Sequence, residues 1–146
     1  MGRPRVLFLC SRNSARSQMA EAFLNHHGEG RFFACSAGLE PSEIHPCALR
    51  VMKEKGLDLL ALGHAPKSLW DDFIRKHVMV GYLITVCDRA ESRCPVYPGP
   101  HVREFWGVPD PAEMPTDGPD RCEPFQRVRD IIEERVLRFL SEHMSE

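Results

Sequence analysis

Four consecutive apolar residues, Val6-Leu7-Phe8-Leu9, run into Cys10 and then into a loop of small or polar residues. A short continuous apolar run has no wet face to offer, so it predicts a strand covered on both sides, as in a parallel sheet. Directly after the loop, Ser17 to Leu24 is a good helical stretch that sets Met19, Ala20, Phe23 and Leu24 on one side. Strand, tight polar loop and helix form the opening unit of a parallel α/β sheet.

The rest of the chain continues that pattern. Phe32 to Ala37, ending at Gly38, predicts a second strand. Pro46, suited to a first helical position, opens a helix that runs to Lys55 and stops at Gly56. A weaker helix is predicted over Ser68–Lys76, a third buried strand over Tyr82–Val86 leading straight into Cys87, and a short fourth strand over Val102–Trp106. The last helix, Pro124–His143, carries the apolar stripe Phe125, Val128, Ile132, Val136 and Leu140. The order is β-α-β-α-α-β-β-α, with no repeat and no linker. The expected fold is α/β: one domain over residues 1–146, a four-stranded parallel sheet flanked by helices. Open parallel sheets bind ligands outside the carboxyl ends of their strands, where Cys10 and Cys87 both fall.

Composition removes several function classes. A net charge of −2 gives no global field for nucleic acid or an anionic membrane, so any anion site must be local. The first residues lack the long apolar core of a secretory signal, and Val6 stands where a myristoylation signal wants Ser or Thr. The expectation is a cytoplasmic protein. There are six cysteines, Cys10, Cys35, Cys47, Cys87, Cys94 and Cys122, with no C-x-x-C pair, and the seven histidines show no zinc-like spacing. In a reducing compartment such cysteines are buried apolar residues, metal ligands or redox-catalytic thiols. No metal and no cofactor is expected. Cys35 and Cys47 read as buried structural thiols, Cys122 as an incidental one. His26, His27, His45, His64, His77 and His143 read as surface or loop residues.

The loop Cys10-Ser11-Arg12-Asn13-Ser14-Ala15-Arg16-Ser17 carries the chemistry. Between a strand and a helix, its backbone N–H groups can curl inward as an anion nest, with the helix N-terminus adding its positive end. Arg16 offers a planar fork to two oxygens of a tetrahedral oxyanion. The same surroundings favour a thiolate at Cys10, a nucleophile in place, with Ser17 able to hydrogen-bond the sulfur. The blander alternative is that Cys10 simply ends a strand. The Gly-Lys-Ser/Thr signature of a nucleotide-binding loop is absent.

The run Val6 to Cys10, followed by Ser17-Gln18-Met19-Ala20-Glu21-Ala22, resembles the low-molecular-weight tyrosine phosphatase superfamily. It resembles more closely the thioredoxin-coupled arsenate reductases within it, which have Ser-Gln where phosphatases have Ser-Pro. The resemblance extends from Arg5 to the last helix. It implies a phosphatase-like fold, arsenate as substrate, phosphate or sulfate as occupants of the same loop, and thioredoxin as partner. Within Phe105-Trp106-Gly107-Val108-Pro109-Asp110-Pro111 it makes Asp110 the general acid that protonates the departing oxygen, against a plain turn residue. Cys87 and Cys94, seven positions apart, match the family's relay cysteines, against two unrelated thiols.

On an intact helix seven residues rise about 10.5 Å. A disulfide needs Cα atoms within about 6.8 Å. If the 87–94 stretch is helical when reduced, it must therefore unwind to form that bond. Two competing readings stay open: a phosphotyrosine phosphatase that leaves Cys87 and Cys94 idle, and a sensor of redox state or oxyanion without turnover. Two departures matter. The family usually has glycine at position 12, so Arg12 brings strain if the backbone needs a positive φ there. Some relatives bind potassium beside the loop; Asn13, Glu21 and Ser36 match three of its ligand positions, but Ala65 replaces a carboxylate and Lys67 is close by with an ammonium that could substitute for the cation, so activity insensitive to potassium is expected.

Overall fold

The structure is a computed structural model that describes residues 3–116, 118 and 120–143. Four parallel strands, β1 (Arg5–Cys10), β2 (Phe33–Gly38), β3 (Tyr82–Thr85) and β4 (Val102–Phe105), lie in the order β2-β1-β3-β4. The helices are α1 (Arg16–His27), α2 (Pro46–Lys53), α3 (Asp88–Arg93) and α4 (Glu123–His143). The four-stranded parallel sheet and its flanking helices are the architecture expected from the sequence.

Val6 to Leu9 are fully buried, as a run with no polar face must be. Leu83, Ile84 and the α4 stripe Val128, Ile132 and Val136 close the core around them. Phe139 belongs there too: its ring packs on Phe32, Tyr82 and Trp106 at centroid distances of 5.3, 5.3 and 6.1 Å. Among the described residues, no helix is long and apolar enough to cross a membrane.

Three expectations change. Helix α1 is not one-sided: every residue from Ser17 to Leu24 is buried, because the helix is packed between the sheet and α4. The predicted helix at 68–76 is a π-helical turn, Leu69–Ile74, with Ser68 and Asp72 capping its start reciprocally. A helix not counted in the predicted order, α3, follows β3; six residues are too few to show a helical period.

Chain order places the site. β2 lies on one side of β1 and β3 on the other, so the chain departs in opposite directions from the carboxyl end of β1, leaving a crevice there. Leu9 is in register with Thr85, which brings Cys10 and Cys87 to one rim. Gly38, at the end of β2, lets the loop close in. A Cβ there would meet Arg12 C and Asn13 N at 2.8 Å, both backbone atoms with no room to give.

Candidate active site

The loop between β1 and α1 is held from behind by buried polar side chains. The Cys10 sulfur receives the Asn13 backbone N–H at 3.2 Å and lies 2.9 Å from Ser17 Oγ. Asn13 Nδ2 donates to Ser17 Oγ at 2.7 Å, which leaves the serine proton free to point at the sulfur. Gln18, fully buried, donates to Asn13 O and Oδ1 at 3.1 and 3.0 Å and to Ala65 O at 3.1 Å. Two donors on one sulfur, each fixed by a further bond, are what a thiolate needs in place of water.

The left-handed residue of the loop is Asn13, with φ 55°, and not Arg12. Asparagine tolerates that region better than most residues, so the arginine at position 12 carries no such strain. Arg12 is exposed and lines the mouth of the cleft.

Arg16, the first residue of α1, donates to Val108 O at 3.0 Å and lies 3.8 Å from an Asp110 carboxylate oxygen. Asp110 accepts from Ala112 N–H at 2.9 Å, capping a short 3₁₀ turn, Pro111–Glu113. The arginine is thus aimed by the loop that carries Asp110. Cys87, buried, sits across from Cys10; its Sγ is 3.5 Å from Ser11 Oγ, the residue next to Cys10.

These groups line one cleft of about 680 Å³, together with Ser11, Arg12, Ser14, Ala15, His45 and Arg89. Asn13 and Ser17 stand behind the loop and do not line it. Cys94 is outside the cleft as well, at the far end of α3 and half buried; burial pushes its thiol pKa up, with Glu91 adding to that and Arg103 opposing it.

Behind the loop lies a residue that the sequence reading set aside. His64 is buried, with Nδ1 2.8 Å from Gln18 Oε1 and Nε2 3.3 Å from Glu21 Oε2. Ser36 donates to the other Glu21 oxygen at 2.6 Å. Burial pushes the His64 pKa down, Lys67 adds to that, and Glu21 opposes it. The polar residues Ser17, Gln18 and Glu21 inside an otherwise apolar helical run were the available signal for such a cluster. Lys67 sets its charge near this cluster, where it acts on both His64 and Cys35. It joins through its backbone N–H, which donates to Asn13 Oδ1 at 2.9 Å. With Asn13 Oδ1 and one Glu21 oxygen already accepting protein hydrogen bonds, and Ala65 standing where relatives have a carboxylate, the residues present do not fit a potassium ion.

Cys47 and Cys122 are bonded to each other, 75 positions apart with Cα atoms 5.1 Å apart, and are neither a buried thiol nor an incidental one. Packing of α2 on α4 and the stacking of His45 on Phe125 bring them together. His45 is a loop residue, as expected, and from there it caps α2 and lines the cleft. Cys35 is a buried thiol as expected, its pKa pushed up to about 12 by burial and then by Glu21.

Residues 5–146 match the family described as low molecular weight phosphotyrosine protein phosphatase. The chain is 37% identical over 142 residues to an arsenate reductase of Bacillus licheniformis, across 95% of this chain and 96% of that protein. Among solved structures, an arsenate reductase in the phosphate binding state is similar with a TM-score of 0.76 and 32% identity, covering 95% of this chain and 98% of the other. A thioredoxin-dependent arsenate reductase from Corynebacterium glutamicum is similar with a TM-score of 0.73 and 32% identity, over 99% of this chain and 64% of that one.

Proposed function

Because the chain belongs to the low molecular weight phosphotyrosine protein phosphatase family and is an arsenate reductase within it, we propose that it works by passing oxidising equivalents from Cys10 through Cys87 to Cys94, with thioredoxin as the final reductant.

Arsenate lies in the Cys10–Ser17 loop, its oxygens taken by backbone N–H groups and by the Arg16 fork. Phosphate or sulfate competes for the same place. Cys10 Sγ attacks arsenic, forming a sulfur–arsenic bond, while Asp110 protonates the departing oxygen, which leaves as water. Cys87 Sγ then attacks Cys10 Sγ. The new sulfur–sulfur bond forms as the sulfur–arsenic bond breaks, and its electron pair stays on arsenic, which leaves as arsenite. Cys94 attacks Cys87, releasing Cys10 as a thiolate and leaving a Cys87–Cys94 disulfide near the surface. The thioredoxin dithiol reduces that bond by exchange and becomes a disulfide itself.

The observation that carries this reading is the position of Cys87. A phosphatase needs one sulfur and water, whereas here a second sulfur faces the oxyanion loop at 3.5 Å from Ser11. The experiment is arsenate-dependent NADPH oxidation with thioredoxin and thioredoxin reductase, run beside hydrolysis of an aryl phosphate. Turnover in the first assay is expected. Activity confined to the second would leave only the phosphatase reading.

A further inference from the structure

The relay requires α3 to come apart, because it holds Cys87 and Cys94 at opposite ends of a helix. Six residues do not sustain a helix in water unaided. One tie is Cys87 itself: as N-cap, its Sγ accepts from Ala90 N–H at 3.4 Å. A sulfur that has bonded to Cys10 no longer caps, so the preceding step of the relay releases that end of the helix.

The second tie is Glu91, in the middle of α3. Its carboxylate accepts a hydrogen bond from the hydroxyl of Thr85, a fully buried residue at the end of β3. It also lies 3.3 Å from Arg103 Nη2 on β4, which donates to the Glu91 carbonyl at 3.1 Å. The helix is pinned to two strands through one residue. The ion pair between Arg93 and Glu40, with both side chains more than half exposed, adds little.

We propose that Glu91 is a positioning residue for the relay, a latch that through Thr85 and Arg103 keeps α3 wound and Cys94 away from Cys87 until Cys87 has moved to Cys10. The inference rests on the relay proposed above and adds to it what sets the timing of its last internal step. While the Cys87 cap is in place the latch keeps the helix docked on the sheet, and once the cap is lost Glu91 alone no longer holds it. Cys94 then swings in.

The test uses a Cys10→Ser background, so that Cys87 and Cys94 are the pair that reacts. Diamide oxidises the two thiols to a disulfide, taking two electrons and two protons and becoming the hydrazine. Peptide mass mapping follows that bond, and a parallel reaction follows iodoacetamide alkylation of Cys94. Glu91→Ala is expected to raise both rates about tenfold and Thr85→Val about threefold. Alanine is the better helix former, so an effect confined to helix propensity would lower the rates. Glu91 also opposes the Cys94 thiolate by charge, which Thr85→Val leaves untouched. Acceleration in Glu91→Ala alone would therefore mean charge and no tether, and would overturn the latch, as would unchanged rates in two folded variants. If the parent protein never forms the Cys87–Cys94 bond, the relay fails, and the alkylation rates still decide the latch.

Discussion

The two strand ends that meet at the cleft are held in opposite ways. After β1, the loop around Cys10 is backed by Asn13, Ser17 and Gln18, all fully buried and bonded to one another, and beyond them by His64, Glu21 and Ser36. After β3, Cys87 leads into a six-residue helix fixed by its own sulfur and by one glutamate whose side chain is 36% exposed. A nucleophile that must meet a small tetrahedral anion gains from a frame that does not move, since reorganisation is then complete before reaction. A sulfur that must carry electrons away gains from a tether that breaks. On the proposed relay, the carboxyl ends of two central strands thus supply a fixed half and a releasable half.

The contrast can be broken from either side. The largest effect is expected at Cys94. Cys94→Ser leaves the fixed half intact but gives the oxidised Cys10–Cys87 pair nowhere to go, so the protein should release one arsenite per chain and stop. Rapid-quench measurement of arsenite checks this, and sustained turnover would remove Cys94 from the relay.

Asp110→Asn is next. It keeps the bond to Ala112 N–H but cannot protonate a leaving oxygen, and arsenate turnover should fall by about 10²–10⁴-fold. Steady-state rates with saturating thioredoxin test it; a change of less than tenfold would make Asp110 a turn residue.

The bond between Cys47 and Cys122 ties α2 to the start of α4, beyond the segment that carries Asp110, and so belongs to the fixed half. Replacing both by serine should lower stability by about 2–4 kcal/mol while the fold survives on the remaining contacts between α2 and α4. Denaturant melts measure that, and thiol titration of the denatured, unreduced parent should find four free thiols. Six would remove the bond.

The smallest effect concerns His64. Its pKa in the fold lies below the ordinary 6.5, chiefly through burial. The unfolded chain therefore takes up that proton first as pH falls, and stability should decline on the acid side of 6.5 until the folded value is reached. Melting temperatures between pH 7.5 and 5.5 should show this step, and His64→Gln should flatten it. Because Ala65 brings no carboxylate to that cluster, potassium and sodium should support equal activity.

What could be read from the sequence was local. The β1–loop–α1 unit needs only contiguous residues, and the Cys87 position follows from the strand that ends there. What escaped depended on distance. His64 meets Gln18 from 46 positions away, and Cys47 meets Cys122 from 75, so neither pairing has any trace in spacing. Helix α3 escaped for a different reason, being shorter than two helical turns. Arg12 drew attention because glycine is usual there, yet the left-handed residue is its neighbour Asn13, a distinction of one position that only backbone geometry makes.

In the proposed relay, oxidation begins at the fixed sulfur and ends on the releasable pair. The most direct measurement is disulfide mapping after the fully reduced chain meets one equivalent of arsenate with no thioredoxin present. A Cys87–Cys94 bond is expected, with Cys10 recovered as a thiol. Arsenite formed while Cys87 and Cys94 both remain alkylatable would contradict it.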